Sequence, residues 1–150
     1  MPLPVARFLA SPGRRFPVAL TLEGGQDPEK LCTVRSIDVS GEAFAQLSTL
    51  YLDVTLHATL VQPCRRCLEP VETPIELDES FEIAIPPTAE SVDLLPLALS
   101  LVLSSRQPNV VCREDCRGLC PTCGVNLNRD PDHACAPREK ERTTLKDLLR

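Results

Sequence analysis

Apolar and polar residues alternate along much of the first half of the chain, most regularly at 50–61. Every second residue there is apolar, which predicts a strand with one buried and one solvated face in an antiparallel sheet. The same rhythm returns at 71–85, and shorter strands are predicted at 18–22 and 33–39, separated by the turn-forming pair Gly24-Gly25. Together these segments predict an antiparallel β-sheet core over roughly residues 15–86.

The pattern changes after Pro86-Pro87, where apolar residues become nearly continuous. Asp93 is a suitable N-cap for a helix at 94–105, and Pro96 is tolerated in the first turn. A helix that is apolar almost all round is buried or forms an interface, and this one is too short to span a bilayer. Few aliphatic residues follow at 106–137, so something other than a hydrophobic core must order that segment.

These elements predict an α+β protein that folds as a single domain over residues 1–150. Its parts are mainly β structure at 1–90, a buried helix at 91–106, a cysteine-rich zinc lobe at 107–137 and a short C-terminal helix at 138–150. The last of these places Leu145, Leu148 and Leu149 on one helix face.

The formal net charge of −5 argues against nucleic-acid binding over a broadly basic surface. The charge is uneven, because residues 1–111 carry 8 Lys/Arg against 14 Asp/Glu, whereas residues 112–150 carry 8 against 7. No apolar signal region follows Met1, so we expect a cytoplasmic protein that does not associate with membranes. In the reducing cytosol, the eight cysteines indicate metal or redox sites rather than disulfides.

The most specific cysteine motif is Cys120-Pro121-Thr122-Cys123-Gly124. Proline presets φ after the first cysteine and glycine can take a positive φ after the second, so backbone N–H groups turn toward two converging sulfurs. Both sulfurs can then reach a metal at the bond length of about 2.3 Å that Zn²⁺ prefers. The motif therefore predicts half of a structural zinc site.

Seven cysteines and one histidine are candidate ligands, enough for two tetrahedral zinc ions. In the simpler partition, one zinc takes Cys64, Cys67, Cys112 and Cys116, and the other takes Cys120, Cys123, His133 and Cys135. In the alternative, a single ribbon-like zinc takes Cys64, Cys67, Cys120 and Cys123. Spacing does not separate the two partitions. A structural zinc contributes about 10–16 kcal/mol of apparent binding energy, enough to order a lobe with little core.

Two further residues have simpler interpretations. Cys32 begins a predicted strand and is expected to be a small buried hydrophobic residue. His57 lies on the polar face of the strand at 50–61 and is expected to be solvated. The chain has no Gly-rich phosphate loop, nucleophile elbow or His-Glu-x-x-His motif, and thiolate-rich zinc sites are typically closed. We therefore expect neither enzymatic activity nor a small-molecule substrate.

Several segments share one family pattern. They are Cys64-Arg65-Arg66-Cys67-Leu68-Glu69-Pro70, Val92-Asp93-Leu94-Leu95-Pro96-Leu97, the run 116–128 around the Cys-Pro-Thr-Cys-Gly motif, and Leu145-Lys146-Asp147-Leu148-Leu149. In this order and spacing the chain resembles the bacterial YceD family. The resemblance implies a non-enzymatic cytosolic factor needed for accumulation of the 23S ribosomal RNA of the large subunit.

The resemblance predicts a zinc-binding factor in ribosome biogenesis that binds ribosomal RNA or a large-subunit assembly intermediate. Basic residues around the cysteines would contact phosphates. The candidates are Arg65, Arg66, Arg113, Arg117, Arg129, Arg138, Lys140 and Arg142. Because the chain has few aromatic residues for base stacking, recognition of backbone or shape is favoured over base reading.

Two alternatives stay open at this point. A protein–protein adaptor would act on ribosome assembly without RNA contact, with the helix at 94–105 as its interface. The acidic chain would suit a basic ribosomal protein as its partner. A thiol redox protein would need an exposed cysteine of low pKa, typically at a helix N-terminus, whereas Cys64 follows a predicted strand.

Overall fold

Long antiparallel strands dominate the computed structural model, which describes residues 2–27 and 31–135. In chain order the elements are β1 (Leu3–Pro4), α1 (Ala6–Leu9), β2 (Phe16–Asp27), β3 (Cys32–Gln46), β4 (Thr49–Pro63), β5 (Pro70–Ala84), β6 (Ser91–Val92) and α2 (Leu95–Ser104). The main sheet has the strand order β2-β3-β4-β5, and β1 pairs separately with β6. The predicted antiparallel sheet is thus confirmed.

Strand β4 supplies the centre of the core because its alternation is the most regular in the chain. Its inward residues are all buried, and they are Leu50, Leu52, Val54, Leu56, Ala58 and Leu60. Each large aliphatic side chain buried in this way contributes roughly 1.5–3 kcal/mol. The strand predicted at 50–61 therefore exists, with one or two further residues at each end.

Helix α2 packs on the inner face of the sheet against β2, β3 and β4. The N-cap is Leu94 rather than the predicted Asp93, although the Leu95 N–H donates to Asp93 Oδ1 at 3.0 Å. The helix is shorter than the predicted range 91–106, because Ser91–Val92 pairs with β1 instead. Ala98 and Val102 are buried, whereas Leu97 is 40% exposed. Across the described residues, every helix is too short or too polar for a membrane span.

The pair Gly24-Gly25 lies inside β2, so its interpretation as a turn was wrong. Opposite it, the pairing of β3 with β4 shifts register between Val34 and Ile37. A Cβ on Gly24 would lie 1.8 Å from the backbone oxygen of Val34. The absence of a side chain at Gly24 lets the irregular part of β3 approach β2 without breaking the sheet.

Residues 106–135 contain no helix and no strand beyond an isolated bridge between Leu119 and Asn126. A small second cluster of buried residues, separate from the sheet core, brings Cys116 of this segment together with Cys64 and Cys67, which lie between β4 and β5. This segment corresponds to the described part of the predicted cysteine-rich lobe. The C-terminal helix predicted at 138–150 lies outside the described residues.

Candidate metal centres

The turn between β4 and β5 presents two cysteines on one short loop. The Cys64 N–H donates to the Glu69 carbonyl at 2.8 Å, and the Leu68 N–H donates to the Cys64 carbonyl at 2.9 Å. Leu68 has a φ of 63°, in the left-handed region that non-glycine residues rarely adopt. The loop thus holds Cys64 and Cys67 side by side at the end of the sheet.

The Cys-Pro-Thr-Cys-Gly motif folds into a turn with the same hydrogen bonds. The Cys120 N–H donates to the Val125 carbonyl at 2.8 Å, and the Gly124 N–H donates to the Cys120 carbonyl at 2.9 Å. Gly124 takes a φ of 78°, as its place in the motif predicts. In both turns the same two backbone hydrogen bonds join residues at the same distance from the first cysteine. The two turns are therefore equivalent metal-binding loops.

The first centre comprises Cys64, Cys67, Cys112 and Cys116, whose sulfurs all lie within 4.8 Å of one another. Cys64 Sγ lies 3.9 Å from Cys116 Sγ, and Cys67 Sγ lies 3.6 Å from Cys112 Sγ. The residues are buried except Cys112, which is exposed. The first pair comes from the β4–β5 turn and the second from the lobe, so this centre joins the lobe to the sheet.

The second centre comprises Cys120, Cys123, His133 and Cys135, again within 4.8 Å. His133 Nε2 lies 3.1 Å from Cys123 Sγ, and its Nδ1 lies 3.7 Å from Asp130 Oδ2, at ion-pair distance. A carboxylate behind the ring is the usual companion of a metal-bound histidine. Cys123 is exposed and Cys135 partly exposed, so this centre is closer to solvent than the first.

Both donor sets fit a tetrahedral metal ion. Four zinc–sulfur bonds of about 2.3 Å place sulfurs about 3.8 Å apart, close to the two distances in the first centre. None of these cysteines forms a disulfide. The structure brings the residues together as in the two-zinc partition, with Cys64 and Cys120 in different groups rather than in one ribbon. Two sets of cysteine and histidine side chains are thus positioned to bind a metal ion, consistent with zinc.

Backbone hydrogen bonds prepare one thiol of the first centre for metal binding. Burial raises the pKa of Cys64, but N–H groups that include those of Arg66 and Cys112 donate to its sulfur and lower it to about 6. Desolvation and the neighbouring thiols raise the pKa of Cys112 to about 12. One ligand of the centre is therefore ionised at neutral pH while another retains its proton.

The second centre has the same division between its thiols. Backbone N–H groups of Cys123 and Thr122 lower the pKa of Cys120 to about 6. The pKa of Cys135 rises to about 11, first because its thiol hydrogen-bonds to Cys123 and then because it is desolvated. In both centres the pKa of the first cysteine of the turn is lowered to about 6.

Asn128 supports the first centre without being a ligand, and sequence reasoning gave it no role. Its Nδ2 donates to Cys116 Sγ at 3.3 Å, and this bond is the largest cause of a lowered Cys116 pKa. Its Oδ1 accepts from the Arg117 N–H at 2.9 Å and from Arg113 Nη2 at 2.8 Å. The only available signal was the Asn-x-Asn spacing shortly after the Cys-Pro-Thr-Cys-Gly motif.

A second set of contacts joins the β4–β5 turn to the lobe around the second centre. Glu69 Oε1 accepts from Asn126 Nδ2 at 3.2 Å and from Arg129 Nη2 at 2.5 Å. The Leu119 N–H donates to the Arg66 carbonyl at 3.2 Å. The two centres are therefore parts of one hydrogen-bonded unit at the end of the sheet.

The arginines predicted to contact RNA surround this unit, and each described one also donates to the chain itself. Arg65 donates to Asn109, and Arg66 donates to the carbonyls of Glu114 and Cys116. Arg113, Arg117 and Arg129 donate to Asn128, Pro131 and Glu69, respectively. Arg138, Lys140 and Arg142 lie outside the described residues.

The two residues given simpler interpretations lie away from both centres. Cys32 is 1% exposed and belongs to the core of the sheet, as expected for a small hydrophobic residue. His57 lies on the outer face, where its half-exposed ring is 3.5 Å from a Glu76 carboxylate oxygen.

The chain is similar to uncharacterized proteins of Mycobacterium bovis and of two strains of Mycobacterium tuberculosis. Each is 33% identical over 94 residues, an alignment that covers 53% of this chain and 45% of the relative. The chain thus spans about half the length of the curated relatives it matches. No protein-family model matches the chain. No solved structure matches it either.

Proposed function

We propose that this protein is a non-enzymatic, cytoplasmic zinc-binding factor in ribosome biogenesis. It supports accumulation of 23S ribosomal RNA by binding that RNA or a large-subunit assembly intermediate. The sequence resemblance to the YceD family motivates the biological setting. The observation that carries the molecular part is the pair of four-residue donor sets, surrounded by arginines at one end of an otherwise acidic sheet.

The donor sets favour structural zinc over catalysis. Catalytic zinc sites use three protein ligands and keep a position open for water or substrate, whereas each set here offers four protein ligands. Their sulfur-rich chemistry suits Zn²⁺ better than Mg²⁺ or Ca²⁺, which prefer oxygen. A redox role has less support, because the sulfurs with a lowered pKa belong to the buried residues Cys64, Cys116 and Cys120.

The arginines of the lobe can contact RNA even though they also donate hydrogen bonds to the chain itself. A guanidinium has five N–H donors, and each hydrogen bond to the chain uses only one of them. Arg113 keeps a side chain that is 51% exposed, and that of Arg129 is 75% exposed. Bonds to the chain fix these side chains in place, so they would lose little entropy on meeting a phosphate.

RNA binding is tested with the zinc-loaded chain and a 23S ribosomal RNA fragment over a series of salt concentrations. Replacing Arg113 and Arg117 by Gln removes two charges, and we expect the slope of log K against log salt to fall by roughly 1.4–1.8. The control replaces Arg14 and Arg15, at the far end of the sheet, by Gln. Binding that is insensitive to salt, or equal losses in both variants, would exclude RNA contact through the lobe.

A protein–protein adaptor that does not touch RNA is the second candidate. The observation that favours it is the acidic first part of the chain, with 14 Asp/Glu against 8 Lys/Arg over residues 1–111. The helix that was expected to form its interface, α2, packs on three strands of the sheet. Much of its apolar surface therefore contacts the chain itself. In-cell crosslinking distinguishes the candidates, since an adaptor yields protein adducts and an RNA-binding factor yields RNA adducts.

A further inference from the structure

Strand β5 is an edge strand with an incompletely covered inner face. Among the described residues it pairs only with β4, so one side of its backbone has no strand partner. Although it is 15 residues long, none of its residues is buried, whereas every second residue of β4 is. Its inward apolar side chains are therefore only partly buried, and they are Val71, Ile75, Leu77, Phe81 and Ile83.

Edge strands of this kind usually carry features that prevent further pairing. Natural proteins keep them short or place lysine or proline on them. Pro70 and Pro74 protect the beginning of β5, but residues 75–84 contain neither proline nor lysine. At about 3.4 Å per residue, this stretch offers roughly 34 Å of backbone to a partner.

The charged side chains of the chain segment that contains β5 have one sign. No Lys, Arg or His occurs from Cys67 to Ser105, while the same segment contains eight Asp/Glu. On β5, Glu72 pairs with Arg35, Glu76 lies 3.5 Å from the His57 ring, and Asp78 accepts from Thr55 Oγ1 at 2.6 Å. Asp78 and Glu82, both on the outer face, make no ion pair within the part of the chain that the structure describes. The edge therefore combines unpaired backbone, partly buried apolar side chains and uncompensated negative charge.

We propose that residues 75–84 of β5 bind an extended, cationic protein segment as an additional strand of the sheet. Backbone hydrogen bonds would supply affinity, alternate apolar side chains would cover Leu77, Phe81 and Ile83, and lysines or arginines on the other face would meet the outer-face carboxylates of β5. Charge complementarity selects this occupant. A second copy of β5 would place like charges opposite one another, and RNA phosphates would be repelled.

This interaction surface is separate from both metal centres. The surface and its occupant do not depend on the proposed function, which would add only that the cationic segment belongs to a protein of the assembling large subunit. Because RNA binding is measured through Arg113 and Arg117, the two ideas can fail independently. Loss of RNA binding would leave the edge interaction intact, and the reverse also holds.

The binding test uses the zinc-loaded chain and two labelled ten-residue probes of identical composition. One alternates Lys and Val, and the other has five Lys followed by five Val. Fluorescence anisotropy should show affinity about tenfold higher for the alternating probe, because only it can pair and place its valines on one face. Equal affinities would overturn the proposal in favour of non-specific charge attraction.

Two double variants locate the site. Asp78→Lys with Glu82→Lys, both exposed on the outer face, should weaken binding of the alternating probe at least about tenfold. Glu23→Lys with Glu90→Lys makes the same charge change at exposed acids off β5 and should leave affinity within about twofold. Asp78→Asn with Glu82→Gln repeats the test without charge reversal, in case the lysine variant folds poorly. Equal weakening by the β5 and control variants would contradict the proposal.

Amide hydrogen exchange shows where the probe binds. The alternating probe should slow exchange within residues 75–84, and protection confined to another segment would overturn the proposal.

Sedimentation of the protein alone tests whether a second copy of the chain occupies the edge. Concentration-dependent dimers that the Asp78→Asn and Glu82→Gln changes strengthen would assign the edge to a second copy instead.

Discussion

Leu68 and Gly124 occupy the same position in the two metal-binding loops, and both have a left-handed backbone. Each lies four residues after the first cysteine of its loop and donates its N–H to that cysteine's carbonyl. Glycine adopts this conformation freely, whereas a residue with a Cβ is strained there by about 1–2 kcal/mol. Leu68 is also 63% exposed, so its side chain offsets little of that strain.

We therefore predict that Leu68→Gly stabilises the zinc-loaded protein relative to Leu68→Ala by about 0.5–1 kcal/mol. The alanine variant is the matched control because it removes the side chain but keeps the backbone strain. Gly124→Ala should lose a similar amount, since a Cβ there meets nothing within 4 Å and only the φ of 78° opposes it. Urea unfolding at fixed free zinc measures all three. A glycine variant no more stable than the alanine variant would contradict the argument.

Two metal ions per chain are expected from the two donor sets. Elemental analysis of protein purified under reducing conditions should give two zinc ions per chain, and Cys116→Ala or Cys120→Ala should each remove one. Cys32→Ala is the control because Cys32 lies in the sheet core, outside both centres. A single zinc in the unmodified protein would indicate that one set does not bind metal under those conditions.

The contact of Asn128 with Cys116 should tune the first centre selectively. Asn128→Asp keeps the oxygen that accepts from Arg117 but replaces the donor to the sulfur with a repelling carboxylate. Second-shell changes of this kind cost about 10–100-fold in metal affinity. Competition with a zinc chelator should show that loss at one of the two sites. Asn109→Asp serves as the control, because this exposed side chain accepts a hydrogen bond from Arg65 and none from a cysteine ligand.

Metal affinity should depend more steeply on pH below about 6 than above it. The pKa values of Cys64 and Cys120 are lowered to about 6, so their thiolates are present above that pH and are lost as the pH falls through it. Metal binding requires thiolates, and below pH 6 each centre must therefore release one additional proton. The slope of log K against pH should increase by about one per centre. An unchanged slope would show that these thiols are not selectively ionised.

The sequence predicted those features that follow from local pattern. The alternation at 50–61 indicated β4 because one face of that strand is fully buried, and the cysteine spacing indicated the residues that gather in each centre. The similar alternation in β5 carried no sign that its inner face is incompletely covered, since coverage depends on where α2 lies. The left-handed backbone of Leu68 was hidden because a leucine stands where the second loop has the glycine that signals this conformation. The contact of Asn128 with Cys116 has no local signature, because it joins residues from two different turns.

Gly24 shows how a local signal can be misread, and it supports a final prediction. A glycine pair usually marks a turn, but here close approach of β3 requires the missing side chain. A Cβ at Gly24 would lie 1.8 Å from the Val34 carbonyl oxygen and 2.1 Å from that of Arg35, both backbone atoms that cannot turn aside. At Gly25 the nearest atom is Leu99 Cδ2 at 2.7 Å, the end of a side chain that can rotate.

Gly24→Ala should therefore lower the free energy of unfolding by about 3 kcal/mol, and Gly25→Ala should lower it by about 1 kcal/mol. Urea unfolding with zinc saturating both proteins measures the difference, and equal costs would mean that β3 can move away from β2.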